Sequence, residues 1–269
     1  MPMSEFSASS DGEVAAVVLA GGLGTRIRHL LPGLPKPMAQ VAGRPFLEHV
    51  LFHLAAQGIQ AAVLSTGHLS EVIERHFVPG RVRGLAVSCV REDEPRGTAG
   101  GFLLAVKASG LHPDVWLVAN GDSLVYADLR PFLREFAVGG WDAAVLGLQV
   151  DDAARYGTLE ADARGGLLRF AEKRPGAALI NAGVYLFRAG LLGEFPVKTP
   201  LSFETEVFPA LLSAGRHILV HPVSAPFLDI GTPASLAQAG EFISVHGGQT
   251  GGRVGISPLR NSWQILSPT

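Results

Sequence analysis

The chain has 269 residues, 47% hydrophobic and 17% charged, which is enough apolar material for a large core and excludes a disordered chain. Its 22 basic and 24 acidic residues leave a formal charge of −2, and no basic stripe interleaved with aromatics occurs, so no nucleic acid partner is expected. No apolar run reaches the length of a membrane span, and residues 1–13 lack the basic and apolar regions of a signal peptide. No membrane association is expected either. A single cysteine, Cys89, cannot form an internal disulfide, which points to a reducing cytoplasm; within LAVSCV it reads as a small buried hydrophobe rather than a nucleophile.

In chain order, VAAVVLA (14–20), AAVLS (61–65), LAVSCV (85–90), VWLVAN (115–120) and AAVLGLQV (143–150) predict strands. The segments between them, RPFLEHVLFHLAAQG, LSEVIERHF, GGFLLAVKASG and ADLRPFLREFAV, repeat apolar residues at three- and four-residue intervals and predict amphipathic helices. Near-continuous apolar strands alternating with helices imply a parallel sheet covered on both faces. Near residue 151 the period breaks, and YGTLEAD, GLLRFAEK and LINAGVYLF read as short strands of an antiparallel insertion. A helix around FETEVFPALLSAG, strands ILVHPV and PFLDI, and a helix from PASLAQAGEF follow. After about residue 242 the chain turns glycine-rich and loses periodicity, so loop or disorder is expected there. The expected fold is a three-layer α/β, Rossmann-like, mostly parallel (mixed) sheet with helices on both faces and a small antiparallel insertion in the second half.

Ligands of open α/β sheets gather at the carboxyl ends of the strands, where two motifs fall. One is LAGGLGTRIRHLLPGLPKP (19–37); the other is Asn120-Gly121-Asp122. The first is not a Walker A loop, because Gly24 is followed by Thr25-Arg26 instead of Lys and Ser or Thr. Nor is it a dinucleotide fingerprint, because Ile27 stands where the third glycine belongs and Glu48, the nearest ribose partner, falls in a helical pattern. It still suits a polyphosphate. Side-chain-free residues let several backbone N–H groups approach one anion, Arg26 adds a permanent bidentate cation, and Pro35 and Pro37 restrict the backbone around Lys36. A plain βα turn would also use the glycines; the added cations favour phosphate.

GGLGTR-x9-PKP from Gly21 to Pro37 resembles the signature of the sugar-1-phosphate nucleotidyltransferases. The resemblance continues through EPRGTAGG (94–101), NGDS (120–123), FAEKR (170–174), NAGVYLF (181–187), SFETEVFP (202–209) and FLDIGTP (227–233). GRPFLEHVL, EPRGTAGG and LDIGTP are most similar to the branch of D-glycero-α-D-manno-heptose 1-phosphate guanylyltransferases. It implies one nucleotidyltransferase domain over 14–242, with a nucleotide half (about 14–150), a sugar-phosphate half (about 151–242) and tails at 1–13 and 243–269. The implied partners are a nucleoside triphosphate, GTP favoured, and a sugar 1-phosphate. The products are an NDP-sugar (GDP-heptose) and pyrophosphate, feeding polysaccharide assembly.

The nucleophile of such a reaction is already an anionic phosphate oxygen. It needs no general base; it needs cations that bring two polyanions together. By the resemblance, Leu19, Ala20, Gly21, Gly22, Gly24 and Thr25 hold the nucleotide and Arg26 its triphosphate, while Lys36 neutralises the reacting phosphates. Asp122 and Asp229 match the two metal-binding aspartates, a set suited to Mg²⁺ that also takes phosphate oxygens and water. Glu94, Gly97, Thr98, Asn120 and Gly121 complete the nucleotide site. Glu172, Lys173, Asn181 and Glu204 match the sugar-phosphate site. Each also has a plainer reading: Asn-Gly-Asp as a turn, Asp229 as a helix cap, Glu172-Lys173 as a solvated pair, Gly97-Thr98 as a helix start, Asn181 as a turn residue and Glu204 as a first-turn acid.

Mannose 1-phosphate with GTP, or N-acetylmuramate 1-phosphate with UTP, are alternatives within the same chemistry. A nucleotide-sugar-sensing subunit is an alternative outside it, disfavoured because Arg26, Lys36, Asp122, Lys173 and Asp229 are all present. A homo-oligomer is left open, as are base choice and the PGRVRG loop (79–84). His49 and His53, four apart, lack a third zinc ligand and read as a partly exposed helix face.

Overall fold

The computed structural model describes residues 13–77, 80–171 and 175–247. The strands are β1 (Val14–Leu19), β2 (Gln40–Val41), β3 (Arg44–Pro45), β4 (Ala61–Thr66), β5 (Arg81–Val82), β6 (Leu85–Arg91), β7 (Val115–Asn120), β8 (Ser123–Val125), β9 (Ala143–Val150), β10 (Thr158–Ala161), β11 (Leu167–Ala171), β12 (Ala178–Arg188), β13 (Ile218–Val223) and β14 (Phe227–Asp229). The helices are α1 (Phe46–Ala56), α2 (Ser70–Phe77), α3 (Gly97–Ser109), α4 (Arg130–Val138), α5 (Phe208–Ser213) and α6 (Pro233–His246).

Ten strands form one sheet. Its main path runs β11-β10-β12-β7-β1-β4-β6-β5, while β9 pairs with β12 and carries β13 on its other side. β1 pairs in parallel with β4 and β7, β4 with β6, and β13 with β9. Alternate residues of the central strands feed two cores. Ala16, Val18, Leu117 and Ala119 meet α1, α2, α4 and α6 on one face, through Leu47, Ile73, Phe132 and Ala239. Ala15, Val17, Trp116 and Val118 meet α3 and α5 on the other, through Phe102, Ala105, Phe208 and Leu211. This is the expected mixed, three-layer α/β arrangement, with two-sided burial explaining why the central strands are apolar throughout.

One strand lies elsewhere than expected. LINAGVYLF is part of the long β12, whose second half runs antiparallel beside β7 in the middle of the sheet, with Val184 opposite Ala119 and Arg188 opposite Val115. Its first half carries the β10–β11 hairpin. The two halves are separated by a register shift against β9 between Asn181 and Tyr185. β9 accordingly has an antiparallel neighbour on one side and β13 on the other.

Local chemistry sets several ends. The predicted helix at RPFLEH begins only at Phe46, because Ala42 and Gly43 both adopt left-handed φ (48° and 78°) and close a β2–β3 hairpin through Arg44–Pro45. α6 continues past residue 242 to His246 and stops before Gly247; beyond that, the expectation for the tail falls outside the described residues. The described part of the 79–84 loop forms a second such turn at Arg83 and Gly84, φ 48° and 88°, and Arg83 stacks 4.1 Å over the Phe52 ring. Cys89 is half-buried, and desolvation, helped by Glu74, raises its thiol to about 11, well out of range for a neutral-pH nucleophile.

His49 and His53 correct an expectation. Both are buried, at 8% and 5% exposure, so the face they share packs inward. His49 Nε2 lies 3.0 Å from the Val41 carbonyl, and His53 meets Tyr126 edge-on at 5.5 Å. Burial pushes the His53 imidazole down to about 4, whereas the unfolded ring titrates near 6.5. The unfolded chain therefore takes up a proton first as pH falls, and this contribution to stability is full above about 6.5 and lost toward 4. Urea unfolding should show a loss of ~3 kcal/mol from this ring between those limits, and His53→Leu should show a correspondingly shallower decline.

Candidate active site

Backbone hydrogen bonds fasten the glycine loop to the strand ends. Ala20 N–H donates to the Ser65 carbonyl (2.8 Å) and Gly121 N–H to the Leu19 carbonyl (2.8 Å), which brings the Asn120-Gly121-Asp122 turn against the end of β1. A Cβ on Gly121 would lie 2.9 Å from that carbonyl, so the close approach requires glycine. Ile27 N–H closes the loop onto the Gly24 carbonyl at 3.1 Å, and the Ile27 side chain is fully buried. Where a dinucleotide fold would need a third glycine, this chain sinks an anchor.

Lys36 opens a single 3₁₀ turn after Pro35 and is only 9% exposed. Its ammonium donates to Asp122 Oδ2 at 2.7 Å and stands 3.6 Å from Asp229 Oδ1. The two aspartates meet through a short ladder: β14 pairs antiparallel with β8, setting Asp229 opposite Ser123, and Ile230 N–H donates to the Asp122 carbonyl. Asp229 Oδ1 also accepts from Gly231 N–H. A Cβ on Gly231 would lie 3.2 Å from Lys36 Nζ and 3.4 Å from Arg26 Nη2, so this glycine leaves room for two cations and a carboxylate to converge. Arg26, Lys36, Asp122, Gly22, Gly24 and Thr25 line one cleft of about 160 Å³, with Leu19 and Ala20 at its base.

Beside it, a cavity of about 260 Å³ lies between Gly21, the Gly67–Leu69 turn and residues Glu92 to Pro95. Glu94 and Glu92 both line it, and Glu92 is the better-built carboxylate. Its Oε1 accepts from Ser65 Oγ (3.2 Å) and its Oε2 from Arg96 N–H (2.9 Å). A Cβ on Gly21 or Gly101 would come within 3.0 or 2.5 Å of Oε1, so one glycine of the loop and one of α3 make space for it. Being the first residue beyond β6, at a strand's carboxyl end, was the available signal.

Gly97 and Thr98 face elsewhere. Gly97 has φ +77° and packs on Leu201, whose carbonyl takes Ala99 N–H (3.0 Å) and Gly100 N–H (3.2 Å). Thr98 Oγ1 accepts from Phe203 N–H at 3.1 Å, and Arg96, not Thr98, is the cap of α3. Both residues position the 201–203 segment and line neither cavity.

Asn120 sits over Gly183, where φ is +72° and a Cβ would meet Asn120 Nδ2 at 2.2 Å. The irregularity in β12 exists at that contact. Asn181 and Glu204 are joined by Tyr185. Asn181 Oδ1 accepts from Gly183 N–H (2.9 Å), its Nδ2 donates to Tyr185 Oη (2.7 Å), and Tyr185 Oη donates to Glu204 Oε1 (2.9 Å). Ser202 Oγ donates to Glu204 Oε2 at 2.9 Å. Burial first, then the Glu204 charge, raises the Tyr185 phenol well above its ordinary value and keeps it a donor. Phe187, Phe203 and Phe208 stack beneath, at 5.3 and 5.5 Å from Phe187, and hold the π-helical turn Phe203–Val207 against the sheet. Glu172 and Lys173 lie outside the described residues.

A sheet whose strand ends gather glycine-rich backbone, two basic side chains and two carboxylates in one cleft defines a phosphate-handling α/β protein. The chain belongs to the nucleotidyl transferase family, whose model matches residues 15–245. It is 32% identical over 226 residues to the D-glycero-α-D-manno-heptose 1-phosphate guanylyltransferase of Aneurinibacillus thermoaerophilus, covering 83% of this chain and 96% of that protein. It is 39% identical over 224 residues to the mannose-1-phosphate guanylyltransferase of Mycobacterium tuberculosis, covering 82% of this chain; the chain spans 62% of that relative's length. The crystal structure of HddC from Yersinia pseudotuberculosis complexed with GMP-PN superposes with a TM-score of 0.74 at 31% identity, covering 84% of this chain and 98% of that one. Among the described residues, no helix is long and apolar enough to cross a membrane.

The glycines of the site should not respond alike to substitution. Gly97→Ala places a methyl group 2.4 Å from the Leu201 carbonyl at a positive φ and should cost about 2–4 kcal/mol in thermal or urea unfolding. Gly22→Ala meets nothing within 4 Å and should cost less than about 1 kcal/mol.

Proposed function

We propose that this protein transfers a guanylyl group from GTP to a sugar 1-phosphate, D-glycero-α-D-manno-heptose 1-phosphate in the first instance. A phosphate oxygen of the sugar 1-phosphate attacks the α-phosphorus of GTP, and the bond from that phosphorus to the bridging oxygen of the β-phosphate breaks. GDP-sugar forms and pyrophosphate leaves. The observation that carries this reading is the meeting of Arg26, Lys36, Asp122 and Asp229 around Gly231. Cations at fixed positions are what two mutually repelling polyanions require, since they need no reorganisation as charge shifts in the transition state.

The glycine loop would wrap the triphosphate, with Arg26 on the leaving pyrophosphate and Lys36 at the α-phosphorus. The carboxylates of Asp122 and Asp229 are hard oxygen donors on one side of the cleft and fit Mg²⁺, which when bound would neutralise phosphate charge. Glu92 supports guanine. Its two oxygens are already oriented by Ser65 and Arg96, and a carboxylate matches the adjacent N1–H and N2–H donors that guanine alone among the common bases presents. On the sugar side, Asn181 and Glu204 would meet hydroxyl groups, with Tyr185 fixing both; Glu172 and Lys173 take the roles that the family resemblance implies. Mannose 1-phosphate is a second reading, favoured by the 39% identity to the Mycobacterium tuberculosis enzyme.

Pyrophosphate release measured across GTP, UTP, dTTP, CTP and ATP, each paired with heptose, mannose, glucose and N-acetylmuramate 1-phosphates, tests the reading. Activity confined to GTP and one sugar phosphate is expected, and silence with every pair would overturn it. Lys36→Ala should lower kcat at least ~100-fold in protein that remains folded at the assay temperature, although losing the Asp122 pairing lowers Tm. Glu92→Gln should collapse the preference for GTP over ITP, which lacks the 2-amino group. A preference that survives the change would remove Glu92 from base selection.

A further inference from the structure

The ammonium of Lys36 stands where the two carboxylates converge, 2.7 Å from Asp122 Oδ2 and 3.6 Å from Asp229 Oδ1. The Pro35-Lys36-Pro37 turn fixes its backbone, and a Cβ on Gly24, where φ is +56°, would lie 2.9 Å from Lys36 Cβ, so the glycine leaves the space through which the lysine stem passes. At 9% exposure, Lys36 has no solvated alternative close at hand. Together with Arg26, it brings the cluster to two positive and two negative charges. The ligand-free cluster is therefore already neutral.

We infer that Lys36 is an internal counter-ion that holds the divalent-cation position of this cleft until nucleotide arrives. This rests on the assignment of Asp122 and Asp229 made above. A divalent ion entering alone would face a fixed ammonium within a few ångströms in a partly buried site, and the cluster would carry two uncompensated positive charges. A triphosphate removes both obstacles. It supplies the missing negative charge, and it offers the Lys36 ammonium new oxygen partners, so the carboxylates become free as the lysine turns to phosphate. Metal and nucleotide binding are thereby obligatorily coupled, each raising the affinity for the other by the same factor. The consequence is a coupled site: the carboxylates collect metal only weakly without substrate, and they are released to it as the lysine turns to the phosphates.

The test measures Mn²⁺ binding to the full chain by loss of the free Mn²⁺ electron-paramagnetic-resonance signal, with and without a non-hydrolysable GTP analogue, each titration referred to a protein-free control that accounts for the Mn²⁺ held by the analogue itself. Wild type should bind weakly alone and at least ~10-fold more tightly with the analogue, whereas Lys36→Met should bind Mn²⁺ at least ~10-fold more tightly than wild type in the absence of nucleotide. Methionine keeps the buried stem, and a cooperative thermal melt checks the fold; Lys36→Gln serves if the methionine variant does not fold. Asp122→Asn should abolish saturable binding in each background. Equal nucleotide-free affinities in wild type and the Lys36 variant would overturn the counter-ion role while leaving the metal assignment intact. Absence of saturable Mn²⁺ binding in every protein, even with the analogue, would overturn both.

Discussion

The buried pairing of Lys36 with Asp122 and Asp229 is the constraint on which the cleft depends. It ties three parts of the chain that meet nowhere in sequence: the turn after the glycine loop, the end of β7, and the β14 strand near the last helix. A charge at such low exposure is tolerated only with its partners in place, because an isolated buried ammonium loses its hydration without compensation. The β8–β14 ladder and the Gly121 and Gly231 approaches are the means by which those partners are delivered. The same pairing keeps an ammonium within 3.6 Å of two carboxylates in the cleft.

The cluster around Tyr185 is built on a different principle. Asn181, Tyr185 and Glu204 are held by neutral and charge-assisted hydrogen bonds above a bed of phenylalanines, and the phenol remains protonated. A rigid network of this kind suits hydroxyl recognition, where fixed donors and acceptors discriminate by leaving a wrong partner unpaired. The register shift in β12 links this cluster to the cleft that holds Lys36 and Asp122. Gly183, bent away at φ +72°, gives the Asn120 side chain its place, and Asn120 is two residues from Asp122. One irregularity in one strand thus sets both halves of the site against each other.

Much of this was legible in sequence, and where it was not, the reason is physical. The glycine loop, Arg26 and Lys36 form an ordered pattern of residue types that suits a polyphosphate, and the two aspartates stand out through the family resemblance. Glu92 did not, because a glutamate after a strand looks like any solvated acid until Gly21 and Gly101 are seen to leave it room. Tyr185 carries no signal in its apolar run, since the bond that gives it a place in the site reaches Glu204 on another element. His49 and His53 read as surface because helical periodicity alone does not say which neighbours cover a face; here Val41 and Tyr126 do.

The sequence by itself determined the main strands and helices and the cations of the glycine loop, because each of these is a property of local chain chemistry; the short strands β2, β3, β5 and β8 and the left-handed φ at Ala42 and Arg83 came only with the structure. Only the tertiary structure decided that β12 enters the centre of the sheet, that Gly97 and Thr98 serve Leu201 and Phe203 instead of the cavity, and that Lys36 lies between Asp122 and Asp229. Those are pairings between distant segments. They are fixed by which buried hydrogen bonds and charges can all be satisfied at once, a condition no local stretch of sequence expresses.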